Sequence, residues 1–304
     1  MNYFKKQPFA LSGLILGLAA LGNLLASYSP KLRLAIGAIA MILFVPYVIK
    51  IFTNFSDLVE ELKQPLPASV FPTFPMAIML LSTYLTPMFG ISLEVAKYIW
   101  WVGLIINIII YLYFLFKFAF KGNMKFVFPT WGVITCGFVV ASVTAPLFEK
   151  VQLGQWLFWI GLIGGLIVLP FMLIRVYKMR DLPSPALPTI TVLCAPFSLL
   201  VAGYVSSFQG QHNVTLLTAL LILAQVIYIT TVVQVPRFIK GGFYPTFAAL
   251  TFPLVISALS FKLAAPVLGW TSPIVTGLIT LETIIATVVV FYVLFAYLKF
   301  LVTK

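Results

Sequence analysis

Seven acidic residues and one histidine are all the carboxyl and imidazole groups in 304 residues, and there are only two cysteines. General acid-base chemistry, nucleophilic hydrolysis and metal-assisted chemistry each need several such groups converging on one place. Here Asp57, Glu60, Glu61, Glu94, Glu149 and Asp181 fall in loops or at the ends of apolar runs, and His212 stands alone in FQGQHNV. Cys136 and Cys194 both lie within apolar runs, where cysteine behaves as a small hydrophobe rather than as half of a disulfide or metal site. No GxxxxGK[ST] loop is present, so the sequence offers no cradle for a nucleotide phosphate. The expectation is a protein that is not an enzyme and holds no cofactor and no metal.

Polar surface is equally scarce. Hydrophobic residues make up 62% of the chain and charged residues 9%, with a mean hydropathy of +1.11. A soluble domain cannot cover itself with so little charge, so this is an all-α polytopic membrane protein. Ten runs reach the ~20 residues needed to cross a hydrocarbon core: approximately 8–27, 32–52, 68–88, 93–120, 126–147, 154–177, 185–207, 214–236, 242–264 and 272–300. We number them spans 1 to 10. The connections are short, which leaves one transmembrane domain over 1–304 and no soluble module.

The net charge of +12 comes from 19 basic residues. With ten spans both termini share one side, and 14 of the basic residues, Lys5, Lys6 and Lys304 among them, fall on that side against 5 on the other. The positive-inside rule then puts both termini in the cytoplasm of a cell (plasma) membrane. Cations spread over successive loops form no single basic face, so no nucleic-acid partner is expected.

A repeat runs through the chain. Proline-threonine pairs occur as Pro72-Thr73, Pro129-Thr130, Pro188-Thr189 and Pro245-Thr246, with the prolines 57, 59 and 57 residues apart. A second proline follows eight residues on as Pro196 and Pro253, and span 1 starts similarly with Gln7-Pro8-Phe9. Each unit is a helical hairpin, approximately 1–60, 61–121, 122–180, 181–240 and 241–304. Units of one orientation are related by an axis along the membrane normal, so the expected architecture is five hairpins in a quasi-five-fold ring. Irregular backbone at membrane depth is tolerated only where protein or a water-filled cavity surrounds it. The proline-bearing odd spans are therefore expected inside, lining a pore, and even spans such as IWWVGLIINIIIYLYFLFKFAF outside.

A wall without acids favours anions, selected by pore width, backbone dipoles and hydroxyl donors such as Thr73, Thr130, Thr189, Thr246 and Thr251. Two charges lie within spans. Glu282 in span 10 is a candidate proton or coupling site, or else a contact between helices. Lys262, near the outer end of span 9, either adds positive potential to a vestibule or snorkels to the headgroups.

Span 1 reads SGLILGLAAL and span 9 reads AALTFPLVISALSFK. With five hairpins and this placement of prolines, these segments resemble the tellurite-resistance/dicarboxylate transporter family, which includes bacterial tellurite-resistance proteins and plant slow anion channels. The resemblance implies a homotrimer in the lipid bilayer with one pore per subunit and a phenylalanine plug on the ninth helix. Here the plug matches Phe252, between Thr251 and Pro253, and the glycine facing it matches Gly13. Gly13 and Gly17 also form a small-residue face suited to close packing. The implied function is a channel or channel-like transporter for small inorganic anions. The alternative is a proton-coupled carrier of organic dicarboxylates or tellurite-type oxyanions.

Overall fold

A computed structural model describes residues 7–303, so Lys5, Lys6 and Lys304 of the charge count lie outside the described residues. The described chain is helical throughout, in keeping with a polytopic membrane protein. Eight helical segments are long and apolar enough to cross a membrane: Pro30–Thr53, Pro65–Phe89, Leu93–Lys121, Val151–Met179, Ser184–Ser207, Val214–Lys240, Pro245–Val267 and Pro273–Thr303. Two shorter apolar helices, Leu11–Leu25 and Val139–Phe148, occupy the places of spans 1 and 5.

Span 5 differs most from an unbroken helix. It consists of Trp131–Cys136 and Val139–Thr144, separated at Gly137 and Phe138. There the hydrogen bonds tighten to three-residue steps, from the amide of Val140 to Gly137 and of Ala141 to Phe138. Glycine supplies no side chain to hold the helix register across the break.

Burial separates the two sets of spans. In spans 3, 7 and 9, 83%, 94% and 78% of an apolar 18-residue stretch is buried inside the protein, against 33–39% in the even spans. Lipid can solvate the flanks of the even helices, whereas the odd ones are covered by protein. Hydroxyl bonds and packing connect the odd spans in a closed circuit. Ser12 and Thr73 join spans 1 and 3 at 2.6 Å, and Ser69 and Thr130 join spans 3 and 5 at 2.5 Å. Ser207 donates to the Ser142 carbonyl at 2.6 Å between spans 7 and 5, and Ser198 pairs with Ser257 at 2.9 Å between spans 7 and 9. The circuit closes where the Thr251 hydroxyl of span 9 donates to the Gly13 carbonyl of span 1 at 3.0 Å.

The prolines sit where they cost least. Spans 7 and 9 begin as 3-10 helices, Ser184–Cys194 and Pro245–Leu250, and become α-helical at Ala195 and Phe252. Pro196 and Pro253 are thus in the first turn of an α-helix, where a missing N–H would have had no partner anyway. Pro72 is the N-cap of Thr73–Phe89, with Pro75 in its first turn. The deep prolines of spans 7 and 9 start new helical segments instead of kinking continuous ones.

Carbonyls at the proline ends are met from outside. Within four of the hairpins the outer helix donates to one of them: Tyr47 to Phe9 at 2.8 Å, Asn107 to Pro72 at 3.4 Å, Arg175 to Val127 at 3.0 Å, and Tyr297 to Pro245. The Phe9 and Pro72 carbonyls also accept bonds from their own span, from Ser12 and Met76, so there the outer helix adds a second donor at a depth where no bulk water can serve the backbone.

Candidate functional site: a cavity among the odd spans

A narrow cavity of ≈ 40 Å³ lies where all five odd spans meet. Span 1 gives it Ala10 and Gly13; span 3 Val70, Thr73 and Met76; span 5 Thr130, Gly132, Val133, Cys136 and Gly137. Span 7 gives Thr189, Val192, Ala195, Pro196 and Leu199, and span 9 gives Thr246, Ala248, Ala249, Phe252 and Pro253. Along each span the wall reaches no further from the proline-threonine end than Gly13, Met76, Gly137, Leu199 and Pro253. Towards that end it meets a wider chamber of ≈ 210 Å³ through shared residues Ala10, Val70 and Thr246.

Several residues singled out from the sequence thus come together: Gly13, Thr73, Thr130, Thr189, Pro196, Thr246, Phe252 and Pro253 all line the cavity. Others lie behind it. Pro72 is buried and its carbonyl is bonded to Asn107, Pro129 and Pro188 are buried at the proline ends, and Pro245 lines the wider chamber. Gly17 faces span 9, where a Cβ would lie 3.0 Å from the backbone nitrogen of Phe252. Phe252 itself is 6% exposed.

The threonine hydroxyls are not free donors. Thr73 donates to the Val70 carbonyl at 2.8 Å or to Ser12, Thr189 to Ala186 at 2.5 Å, and Thr246 to Pro185. Thr130 pairs with Ser69, which in turn donates to Leu66 at 2.9 Å, and the fully buried Thr251 donates to Ala248 at 2.7 Å or to Gly13 at 3.0 Å. A hydroxyl has one proton, and here those protons are engaged in capping and in joining neighbouring spans. The exposed wall is accordingly made mainly of methyl, methylene and ring groups. Much of that wall, including Met76, Val133, Val192 and Leu199, is not legible in the sequence, because apolar residues in an apolar chain carry no signal.

Among the described residues no carboxylate, imidazole, ammonium or guanidinium lines the cavity. The nearest carboxyl along its path is Glu61, on the wall of the wider chamber. Partial removal from water pushes this carboxyl up from the usual range, Lys50 pulls it back, and Asp57 pushes it further. Lys50 is 4% exposed, donates to the Gln7 carbonyl and sits 3.8 Å from the centre of the Phe9 ring.

The two intramembrane charges take different places. Lys262 donates to the Leu24 carbonyl at 3.2 Å and to the Ser27 hydroxyl, over the Tyr28 ring, which pins the far end of span 9 to that of span 1. Glu282 is 6% exposed and lines a groove with residues of span 8, and it is not among the residues of the cavity wall.

The family model described as voltage-dependent anion channel, SLAC1, matches residues 7–298. The chain belongs to this anion-channel family. The match runs through every span, so the SLAC1 assignment covers the cavity, the proline-threonine series and both charged positions. No curated protein sequence was found to match it. Membership in the SLAC1 family establishes a membrane protein of the anion channel and transporter class, with anions as the permeant class.

Proposed function

We propose that the chain is a passive channel for small inorganic anions, whose path runs through the five-fold ring of odd spans and is closed by the Phe252 ring. The observation that carries this reading is that the cavity takes its wall from all five odd spans and that Phe252 is the bulkiest side chain on that wall. A wall of apolar groups gates by excluding water, and an anion can enter only when the constriction widens enough to keep some hydration. Chloride or nitrate would therefore pass more readily than a dicarboxylate. The proton-coupled carrier reading finds no carboxyl or imidazole in the cavity wall, since Glu282 faces elsewhere. We further assign the termini to the cytoplasm of the plasma membrane, on the distribution of basic residues, and a homotrimer, on the family resemblance.

The test is anion substitution. In planar bilayers with purified protein, the small wild-type current and the larger Phe252→Ala current should both shift in reversal potential as expected of an anion-selective path when chloride on one side is replaced by gluconate. Changing the cation should shift neither. Saturable uptake that stops when a proton gradient is collapsed would overturn the reading.

The chamber adds a pH dependence. At neutral pH the ionised Glu61 opposes anion entry, and acid on the proline-threonine side removes that charge. Because the carboxyl is pushed up, the rise should begin above the ordinary carboxylate range. A partly exposed charge is worth a fraction of a kcal/mol, so the expected gain is about twofold. Glu61→Gln should show the higher conductance at neutral pH and lose the response to acid; a variant that retains the full response removes Glu61 from the explanation.

A further inference from the structure

Spans 8 and 10 enclose a groove of ≈ 390 Å³ on the lipid-facing side of the helix layer. Its rim is apolar and exposed, with Ile222 and Val226 on one helix and Leu278 and Leu281 on the other. Its floor is polar. Gln225 and Tyr228, one turn apart in Val214–Val232, face Glu282 in the third turn of Pro273–Thr303.

Three atoms on that floor make no hydrogen bond of good geometry, namely Gln225 Nε2, the Tyr228 hydroxyl and Glu282 Oε2, although the Gln225 amide stands beside the Glu282 carboxyl. Tyr228 is 4% exposed and Glu282 6%. Buried polar groups are almost always paired, and the cost of leaving one unpaired rises as water is excluded. Three such atoms from two helices on the floor of one apolar groove are a preformed set of donors and acceptors awaiting a ligand head.

We propose that this groove binds a lipophilic alcohol, its hydroxyl seated between Glu282, Gln225 and Tyr228 and its hydrocarbon part along the rim. The head group follows from the atoms to be satisfied. The amide N–H needs an acceptor, the carboxyl oxygen faces a donor when ionised, and the phenol takes either role. A hydroxyl donates and accepts at once. An ammonium only donates and would leave the amide unpaired. The apolar rim excludes a charged phosphate head for the same reason that it suits an alkyl chain.

The test is photolabelling of the whole protein in phosphatidylcholine nanodiscs with a diazirine-bearing octanol, followed by peptide mapping. The label should fall on 214–232 and 273–303, and excess octanol should compete it away while octane does not. Gln225→Leu combined with Tyr228→Phe keeps Glu282 as a reactive target and removes the amide and the phenol. Losing those two hydrogen bonds should cut the competable labelling about tenfold. Competition by octane equal to that by octanol would overturn the proposal, as would labelling unchanged in the double variant, stronger competition by octylammonium, or a groove that takes no label. Should the double variant not fold, the comparison of octanol with octane on the wild-type protein decides.

Discussion

Phe252→Ala should convert a nearly silent protein into one with a large, anion-selective conductance. The side chain lines a cavity that holds little more than a water-sized space, and it is the bulkiest group on that wall. Truncation to a methyl group removes the ring and leaves the backbone in place, because the seat of Phe252 is made by its neighbours. Thr251 is bonded to Gly13 and Ala248, and Pro253 starts the α-helix that follows. A barrier lower by only about 1.4 kcal/mol gives a tenfold current, and loss of a whole ring from an apolar constriction should exceed that. Phe252→Leu should fall between wild type and alanine. Emptying the site also costs packing, about 3 kcal/mol for a buried phenylalanine, so thermal unfolding must be followed alongside. Single-channel recording of a folded Phe252→Ala protein with no added conductance would remove the plug from the proposal.

The sequence carried much of this architecture because it repeats. Proline-threonine pairs at a spacing close to two membrane crossings declare the hairpin, and the even spans declare their lipid contact by bulk. What it did not carry was the local geometry at the prolines. Pro196 and Pro253 read as kinks inside long helices, but the chain ahead of each is a 3-10 helix and the proline opens the α segment. The energetic difference is one backbone hydrogen bond, and periodicity does not register it. The bonding of the threonines was not legible for a related reason. Ser12 and Thr73, or Ser69 and Thr130, are 61 residues apart, so nothing local announces that their hydroxyls bond one another instead of facing an ion. Glu282 shows the same limit: span 10 is apolar on every side, and only packing against span 8 decides which way one acid points.

Gly13 and Gly17 lie one turn apart in span 1 and should respond to the same substitution in opposite ways. At Gly17 an added Cβ would lie 2.6 Å from the Thr251 Cβ and 3.0 Å from the Phe252 nitrogen, both parts of the neighbouring helix that cannot rotate away. Gly17→Ala must therefore push spans 1 and 9 apart at the seat of the plug. Overpacking of this kind costs about 1–3 kcal/mol, and the displaced backbone carries Phe252 with it. The expected result is a clear fall in the unfolding temperature together with a leak in otherwise silent protein. At Gly13 the new Cβ would stand 3.2 Å from the Ala248 Cβ and 3.5 Å from the Ala248 carbonyl oxygen, a contact that small shifts relieve. It would also intrude into the cavity that Gly13 lines. Gly13→Ala should leave stability nearly unchanged and, placed on a Phe252→Ala background, reduce the opened conductance. Equal losses of stability at both positions would mean that the two glycines serve packing alone and that the path does not pass Gly13.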